Sequence, residues 1–181
     1  MIHQARYWKK DLKRMAADLR RRQTQLRWTE ASYAGFERTV MLGFYAIRKL
    51  MDSFQPMLPK ESRSLVDLTS FPSKGKRFTE LFWPTVEEHF DLATPKIIHL
   101  ETRIVCNQVI HSYVFSPWFN RSHHLAGLFF CSREEAEGKK GRRGRVFRIE
   151  LQTVADLFEI VATKRGKWLM RAGPERNLQV M

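Results

Sequence analysis

Apolar residues recur at helical spacing in two stretches near the start of the chain. Residues 4–27 repeat them every three to four positions with basic residues on the other faces, which predicts an amphipathic basic helix. Residues 30–54 repeat them more strongly and are followed by Pro56, which predicts a second helix. Gly43 lies inside this helix at a cost of about 1 kcal/mol relative to alanine, so we expect another helix to approach closely there.

The middle of the chain, residues 55–95, lacks a regular apolar repeat. Prolines interrupt it, which indicates an elaborated connection lying over the helices. Within it we expect short helices near 61–68 and 85–90.

A third long helix is predicted to begin at Thr94 and Pro95. Threonine is a good N-cap, and proline is favoured at the first helical position. Pro117 then predicts the end of the helix, because the residue before a proline avoids the helical region.

The pattern changes to strands towards the C-terminus. Residues 125–131 and 145–151 are β-like and are separated by a polar loop, which predicts an antiparallel hairpin. A helix is predicted over 153–163, and 167–171 is expected to add a short strand.

Together these elements predict a mainly α fold, a helical bundle with a small antiparallel β-hairpin near the C-terminus. The length of 181 residues fits a single domain, 1–181. Its expected parts are a basic amphipathic helix (1–27), a helical core (30–115), and a hairpin with a helix (120–175).

The charge balance favours a polyanionic partner. The chain carries 32 Lys and Arg against 19 Asp and Glu, a formal net charge of +13. Nucleic acid is the first candidate for such a partner and an anionic membrane surface the second. The alternative is that the charge serves solubility alone. Hydrophobic residues make up 43% of the chain, which is enough for a core and argues against a disordered basic protein.

Cysteine usage and the absence of a long apolar run suggest a cytoplasmic protein. The chain has only 2 cysteines, too few for a disulfide framework. Its longest apolar run, residues 40–47, is too short to span a bilayer, and the start of the chain lacks the apolar stretch of a signal peptide.

Three polar residues lie in a row on the predicted third helix. Asn107 and His111 are four residues apart on one side, and Arg103 lies one turn earlier. Histidine is the commonest general acid or base, and a cation can stabilise charge on a phosphate, so this row would suit phosphodiester cleavage. In that reaction His111 would move the proton, Asn107 would orient the substrate, and Arg103 would supply charge. The alternative is a buried structural histidine with satisfied ring nitrogens.

The same residues resemble the motif of the HEPN superfamily, α-helical proteins of toxin–antitoxin, phage-defence and RNA-processing systems. Active members are metal-independent endoribonucleases. Their motif is an arginine, usually a polar residue, then three to five further residues, and then a histidine, and two copies meet across a dimer interface. Asn107 matches the polar position and His111 the histidine, but Cys106 stands at the arginine position. The resemblance covers about residues 30–115. It implies a helical fold, a homodimer, a cognate antitoxin, and a ribonuclease activity that is weak or absent.

Two basic segments are candidate nucleic-acid contacts. The predicted hairpin loop, residues 138–145, is rich in glycine and cations, so it could follow a phosphate backbone without reading sequence. The second segment is the end of the first helix. The candidate residues are Lys139, Lys140, Arg142, Arg143 and Arg145 in the loop and Arg20, Arg21 and Arg22 in the helix. The alternative for both segments is a solvated, charged surface.

No metal site or cofactor is predicted. His123, His124 and Cys131 match no recognised zinc spacing, and the chain contains no phosphate-binding or dinucleotide-binding glycine motif.

Three functions remain open. The first is a HEPN-like RNA-associated protein of a defence or toxin–antitoxin type, an endoribonuclease if active. The second is a non-enzymatic nucleic-acid-binding module that uses the basic helix and loop. The third is a structural protein that binds other proteins.

Overall fold

A computed structural model describes residues 5–53, 65–76, 85–139 and 141–163. The helices of this part of the chain are α1 (Ala5–Arg22), α2 (Glu30–Ser53), α3 (Val86–His89), α4 (Thr102–Ile110), α5 (Arg133–Glu137) and α6 (Leu151–Thr163). Its strands are β1 (Leu65–Pro72), β2 (Lys96–Glu101), β3 (Ser112–Phe119), β4 (Leu125–Ser132), β5 (Gly138–Lys139), β6 (Arg142–Arg143) and β7 (Arg145–Glu150).

Five of these strands form one antiparallel sheet in the order β2-β1-β7-β4-β3. The central strand β7 places Phe147 opposite Ser70 of β1 and Phe130 of β4. The short strands β5 and β6 form a separate hairpin in the connection from β4 to β7. Strands β2 and β3 are the edges of the large sheet.

Helices cover one face of the large sheet. Residues directly opposite each other across a ladder share a face, so Phe130 and Phe147 lie together, and both are buried. On the same face, the ring centroid of Phe115 lies 5.9 Å from that of Phe36 in α2. Helices α4 and α6 both contact β4. The core therefore lies between the sheet and this helical layer.

The opposite face of the sheet carries a stacked arginine. The guanidinium of Arg148 lies 4.1 Å from the ring centroid of Trp118 and 5.5 Å from that of Phe71. Trp118 stands opposite Gly127, where a Cβ would lie only 2.2 Å from the backbone oxygen of Ile149. A side chain at Gly127 would therefore collide with the backbone of β7.

The helical layer is held together by a close approach at Gly43. A Cβ at this position would lie 2.0 Å from Cε2 of Phe158 in α6. Only glycine therefore allows α2 and α6 to approach each other this closely. Phe158 is fully buried and packs edge-on against Phe44. The predicted close helix approach at Gly43 is confirmed.

The prediction of a mainly α bundle with a small hairpin is wrong. The large sheet has five strands, and of the described residues 53% are helical and 30% lie in strands. The fold is therefore of mixed α/β type. The predicted pair of strands does exist, as β4 and β7, but it is the centre of a larger sheet.

The main error is the predicted third helix, which is a strand, a short helix and another strand. Thr94 does not cap a helix, because its hydroxyl donates to Asp91 at the turn before β2. Pro117 does not end a helix either, and lies inside the edge strand β3, where proline is tolerated because one side of the strand is unpaired. A further strand, Leu65–Pro72, occupies the end of the segment where a short helix was expected near 61–68.

The other helix predictions agree with the structure. Helices α1, α2 and α6 match the predicted segments to within a few residues, and α3 lies within the expected short helix at 85–90. The strand predicted at 167–171 lies outside the described residues. No helix in the described part of the chain is long and apolar enough to cross a membrane.

Candidate nucleic-acid interface

Helix α1 presents a continuous row of cations to solvent. The helix contains eight basic residues against two acids. Five of its cations recur at helical spacing on the side away from the core, and all are exposed. This surface, called here the basic helical face, consists of Arg6, Lys10, Lys13, Arg14 and Arg21.

The opposite side of α1 is buried in the core. Leu12, Ala16 and Leu19 are at most 1% exposed and pack into the layer formed with α2 and α6. The apolar side of α1 is therefore buried within the protein, whereas the basic helical face is accessible to a partner.

Ion pairs fix α1 to its neighbours at its C-terminal end. Arg20 donates to Asp156 of α6 at 2.8 Å and also pairs with Glu159. Arg22 donates to Asp18 at 2.7 Å and to the backbone oxygen of Ser32 at 3.1 Å. These two arginines, predicted as nucleic-acid contacts, therefore hold α1 against α6 and α2.

Arg21 keeps most of its side chain in solvent. It pairs with Asp18, yet 76% of its side chain remains exposed. Burial raises the pKa of Asp18, but the hydrogen bonds and charges of Arg22 and Arg21 outweigh burial and hold this pKa below its ordinary value of 3.8. Of the three predicted arginines, Arg21 is the one whose placement suits an external phosphate.

The surface continues from α1 onto α2. Trp8 of α1 and Tyr45 of α2 have ring centroids 6.0 Å apart, so the two helices meet at this point. Tyr45 is 45% exposed, and Arg38 and Lys49 lie on the same outer side of α2 and are exposed. The outer side of α2 therefore carries two cations and a tyrosine, together with the exposed Leu42.

A polar cluster joins α2 to α4. Arg48 donates through Nε to Oδ1 of Asn107 at 2.9 Å, and its Nη1 pairs with Oδ1 of Asp52. Arg103 reaches the same Asp52 oxygen through Nη1 at 3.0 Å. This group, called here the α2–α4 cluster, contains Arg48, Asp52, Arg103 and Asn107. The structure thus brings Arg103 and Asn107 together, as their spacing predicted.

The third residue of the predicted row, His111, lies just beyond α4. It is the C-cap residue, its backbone N–H donates to the oxygen of Asn107 at 3.0 Å, and it is exposed. Asn107 is exposed as well. The alternative of a buried structural histidine is therefore wrong, because His111 lies on the solvent side.

Cys106, which stands at the position of the motif's arginine, is a core residue. Its side chain is fully buried, and burial raises the pKa of its thiol to about 12, although the charges of Arg48 and Arg103 act in the other direction. The residue at the position of the motif's arginine therefore points into the core. It packs there as a small apolar side chain.

In the basic loop, strands β5 and β6 pair as a short hairpin, and part of the loop's charge is neutralised internally. Glu135 accepts hydrogen bonds from Nη1 and Nη2 of Arg142 at 3.0 and 2.9 Å, and it also pairs with Arg145. Burial raises the pKa of Glu135, but these two arginines outweigh burial and lower it below 4.5. The hairpin turns at Gly141, which has a φ of 81° that favours glycine.

Two further loop cations lie in the short strands β5 and β6. Arg143 lies in β6 and is exposed. Lys139 lies in β5, while Lys140 is outside the described residues. Among the described residues there is no group of three or more His, Cys, Asp or Glu side chains that could hold a metal ion.

Sequence reasoning missed Arg48 and Asp52. They stand four residues apart on α2, which is the spacing of a helical ion pair, so half of the α2–α4 cluster could have been found. Their proximity to α4 could not have been found from the sequence, because it depends on how α2 and α4 pack.

Comparison with protein-family models, curated proteins and solved structures gives no match.

Proposed function

We propose that this protein binds nucleic acid through the phosphate backbone, with the basic helical face as its main contact. The observation that carries the proposal is that α1 buries its apolar side and directs five cations at one side of the molecule. Cations arranged in this way contact phosphates and release condensed counterions, whatever the base sequence.

The same observation favours nucleic acid over a membrane surface. A helix that lies in a membrane interface must insert an apolar side among the lipids. In α1 that side is occupied, since Leu12 and Leu19 are completely buried. The accessible side of α1 is positively charged, and such a surface binds a polyanion in water.

Exposed tyrosines extend the proposal to unpaired bases. Tyr7 on α1 is 55% exposed and Tyr45 on α2 is 45% exposed. Aromatic side chains beside a cationic path can stack on the bases of a single strand. We therefore expect single-stranded RNA to bind more tightly than a duplex of the same length.

The test is a binding titration with a fluorescently labelled single-stranded RNA, followed by anisotropy over a range of salt concentrations. The variant is Lys10→Glu with Lys13→Glu, on the basic helical face. The matched control is Lys76→Glu with Lys96→Glu, which changes the net charge equally at exposed positions on β2 and after β1.

We expect wild type to bind with an affinity that falls steeply with salt. The α1 variant should lose affinity at least tenfold at low salt and show a shallower salt dependence, and the control should lose much less. Equal losses in both variants would show a net-charge effect without a defined surface, and absence of binding by wild type would refute the proposed function.

A second candidate function is the metal-independent endoribonuclease that the HEPN resemblance implies. The observation in its favour is that Arg103 and Asn107 lie in one exposed cluster, with His111 one helical turn from Asn107. An RNA 2′-hydroxyl could then attack the phosphate while the imidazole moves a proton. The test is incubation of end-labelled RNA without metal. Cleavage that is lost in His111→Ala but kept in the exposed control His99→Ala supports this candidate; no cleavage by wild type removes it.

A further inference from the structure

The α2–α4 cluster has an unusual centre, in which two guanidinium groups meet at one carboxylate oxygen. Nη1 of Arg48 and Nη1 of Arg103 both contact Oδ1 of Asp52, although they come from different helices. Arg48 is held in place from a second direction, because its Nε donates to Asn107 at 2.9 Å. The position between the two arginines is therefore prepared for an anionic oxygen.

The cluster is not electrically balanced. Two guanidinium groups surround a single carboxylate, so a surplus positive charge remains at the surface. All three charged side chains are accessible, with exposed fractions of 26% for Arg48, 37% for Arg103 and 46% for Asp52. A ligand approaching from solvent can reach the arginines without rearrangement of the core.

The cluster also adjoins the path already described. Arg48 lies one helical turn beyond Tyr45, which meets α1 at Trp8. A strand that follows the basic helical face and crosses α2 would arrive at Arg48 and Arg103.

We infer that Arg48 and Arg103 form a phosphate-binding subsite of this interface and that Asp52 occupies it in the free protein. The inference rests on the proposed nucleic-acid binding. A backbone phosphate displaces the carboxylate and takes its place between the guanidinium groups, which bind phosphate oxygens in a fork geometry. Displacement costs little, because an exposed ion pair contributes little stability. Asp52 thus lowers the affinity for nucleic acid.

The test is Asp52→Asn, assayed by anisotropy with the same labelled RNA. The amide keeps the size of the side chain and removes the charge that competes with phosphate. We expect affinity to rise about 3- to 5-fold at low salt, which is the upper end of what one exposed ion pair contributes.

The matched control is Glu37→Gln, which removes one negative charge from an exposed position on the same helix. Its affinity should change less than twofold. In the Asp52→Asn background, Arg103→Gln should abolish the gain. Circular dichroism and melting curves identify any variant that fails to fold.

The outcomes separate the two claims. Wild-type binding with no gain in Asp52→Asn, or with an equal gain in Glu37→Gln, overturns the inference and leaves the proposed function in place. No binding by wild type or by any variant overturns both.

Discussion

Replacing Gly43 with alanine should destabilise the protein, although alanine is the better helix former. Carbon atoms in contact are normally about 3.5 Å apart. The new Cβ would lie 2.0 Å from Cε2 and 2.1 Å from Cζ of Phe158, so the helices must separate or the ring must move by about 1.5 Å. The ring has no free space, because it is fully buried against Phe44.

The magnitude follows from two opposing terms. Overpacking a core costs about 1–3 kcal/mol and occasionally more, and this overlap belongs at the upper end. The higher helix propensity of alanine offsets about 1 kcal/mol of this cost. We therefore expect Gly43→Ala to lower the free energy of unfolding by about 2 kcal/mol, which for a chain of this size lowers Tm by about 4–8 °C.

The assay is urea and thermal unfolding followed by circular dichroism. The control is Gly35→Ala in the same helix, where the nearest atom to the new Cβ is a guanidinium nitrogen of Arg22 at 3.0 Å, a much milder approach than at Gly43. This variant should lose much less stability than Gly43→Ala. Adding Phe158→Leu to Gly43→Ala should recover part of the loss through a coupling between the two sites. A Gly43→Ala variant as stable as wild type would refute the close approach of α2 and α6.

Three further predictions concern stability and reactivity. Gly127→Ala should cost about 3 kcal/mol in urea unfolding, because its Cβ would lie 2.2 Å from a backbone oxygen of β7 that cannot move aside. Glu135→Gln should destabilise at neutral pH. Since the folded-state pKa of Glu135 lies below 4.5, its stabilisation is present above that value and lost as the pH falls, so the difference from wild type in unfolding free energy should shrink in acid. Cys106 and Cys131 are buried with raised pKa values, so neither thiol should react with a chromogenic disulfide reagent at neutral pH until the protein is denatured.

The elements that the sequence predicted well are those whose signal is local. Helices α1, α2 and α6 each repeat a buried stripe within their own residues, and alternation in β7 separates Phe147 and Ile149 from Arg148. Strand β1 also alternates, since Val66 and Leu68 are buried, and this signal was available within the segment interpreted as irregular.

The missed edge strands depend on pairing with distant residues. In β2, Ile98 lies opposite Leu68 of β1, thirty residues earlier in the chain, and this contact decides between strand and helix. Strand β3 begins at Ser112, two residues after α4 ends at Ile110, so local preference could not separate the two elements.

In the candidate site as well, local spacing could be predicted from the sequence, but contacts with distant residues could not. The spacing of Arg103 and Asn107 was enough to place them together on α4. It could not show that Asp156 and Glu159, far along the chain, neutralise Arg20. Charge counts along a sequence therefore overestimate the cations that a fold leaves available to a partner.

Amine-reactive footprinting with and without RNA shows whether the basic helical face is the surface that binds RNA. The protein is acylated on its lysines under limiting reagent, and the extent of modification at each lysine is read by mass spectrometry. RNA should protect Lys10 and Lys13 on the basic helical face and leave the reactivity of Lys76 and Lys96 unchanged. Protection of Lys76 and Lys96 with Lys10 and Lys13 still reactive would contradict this prediction.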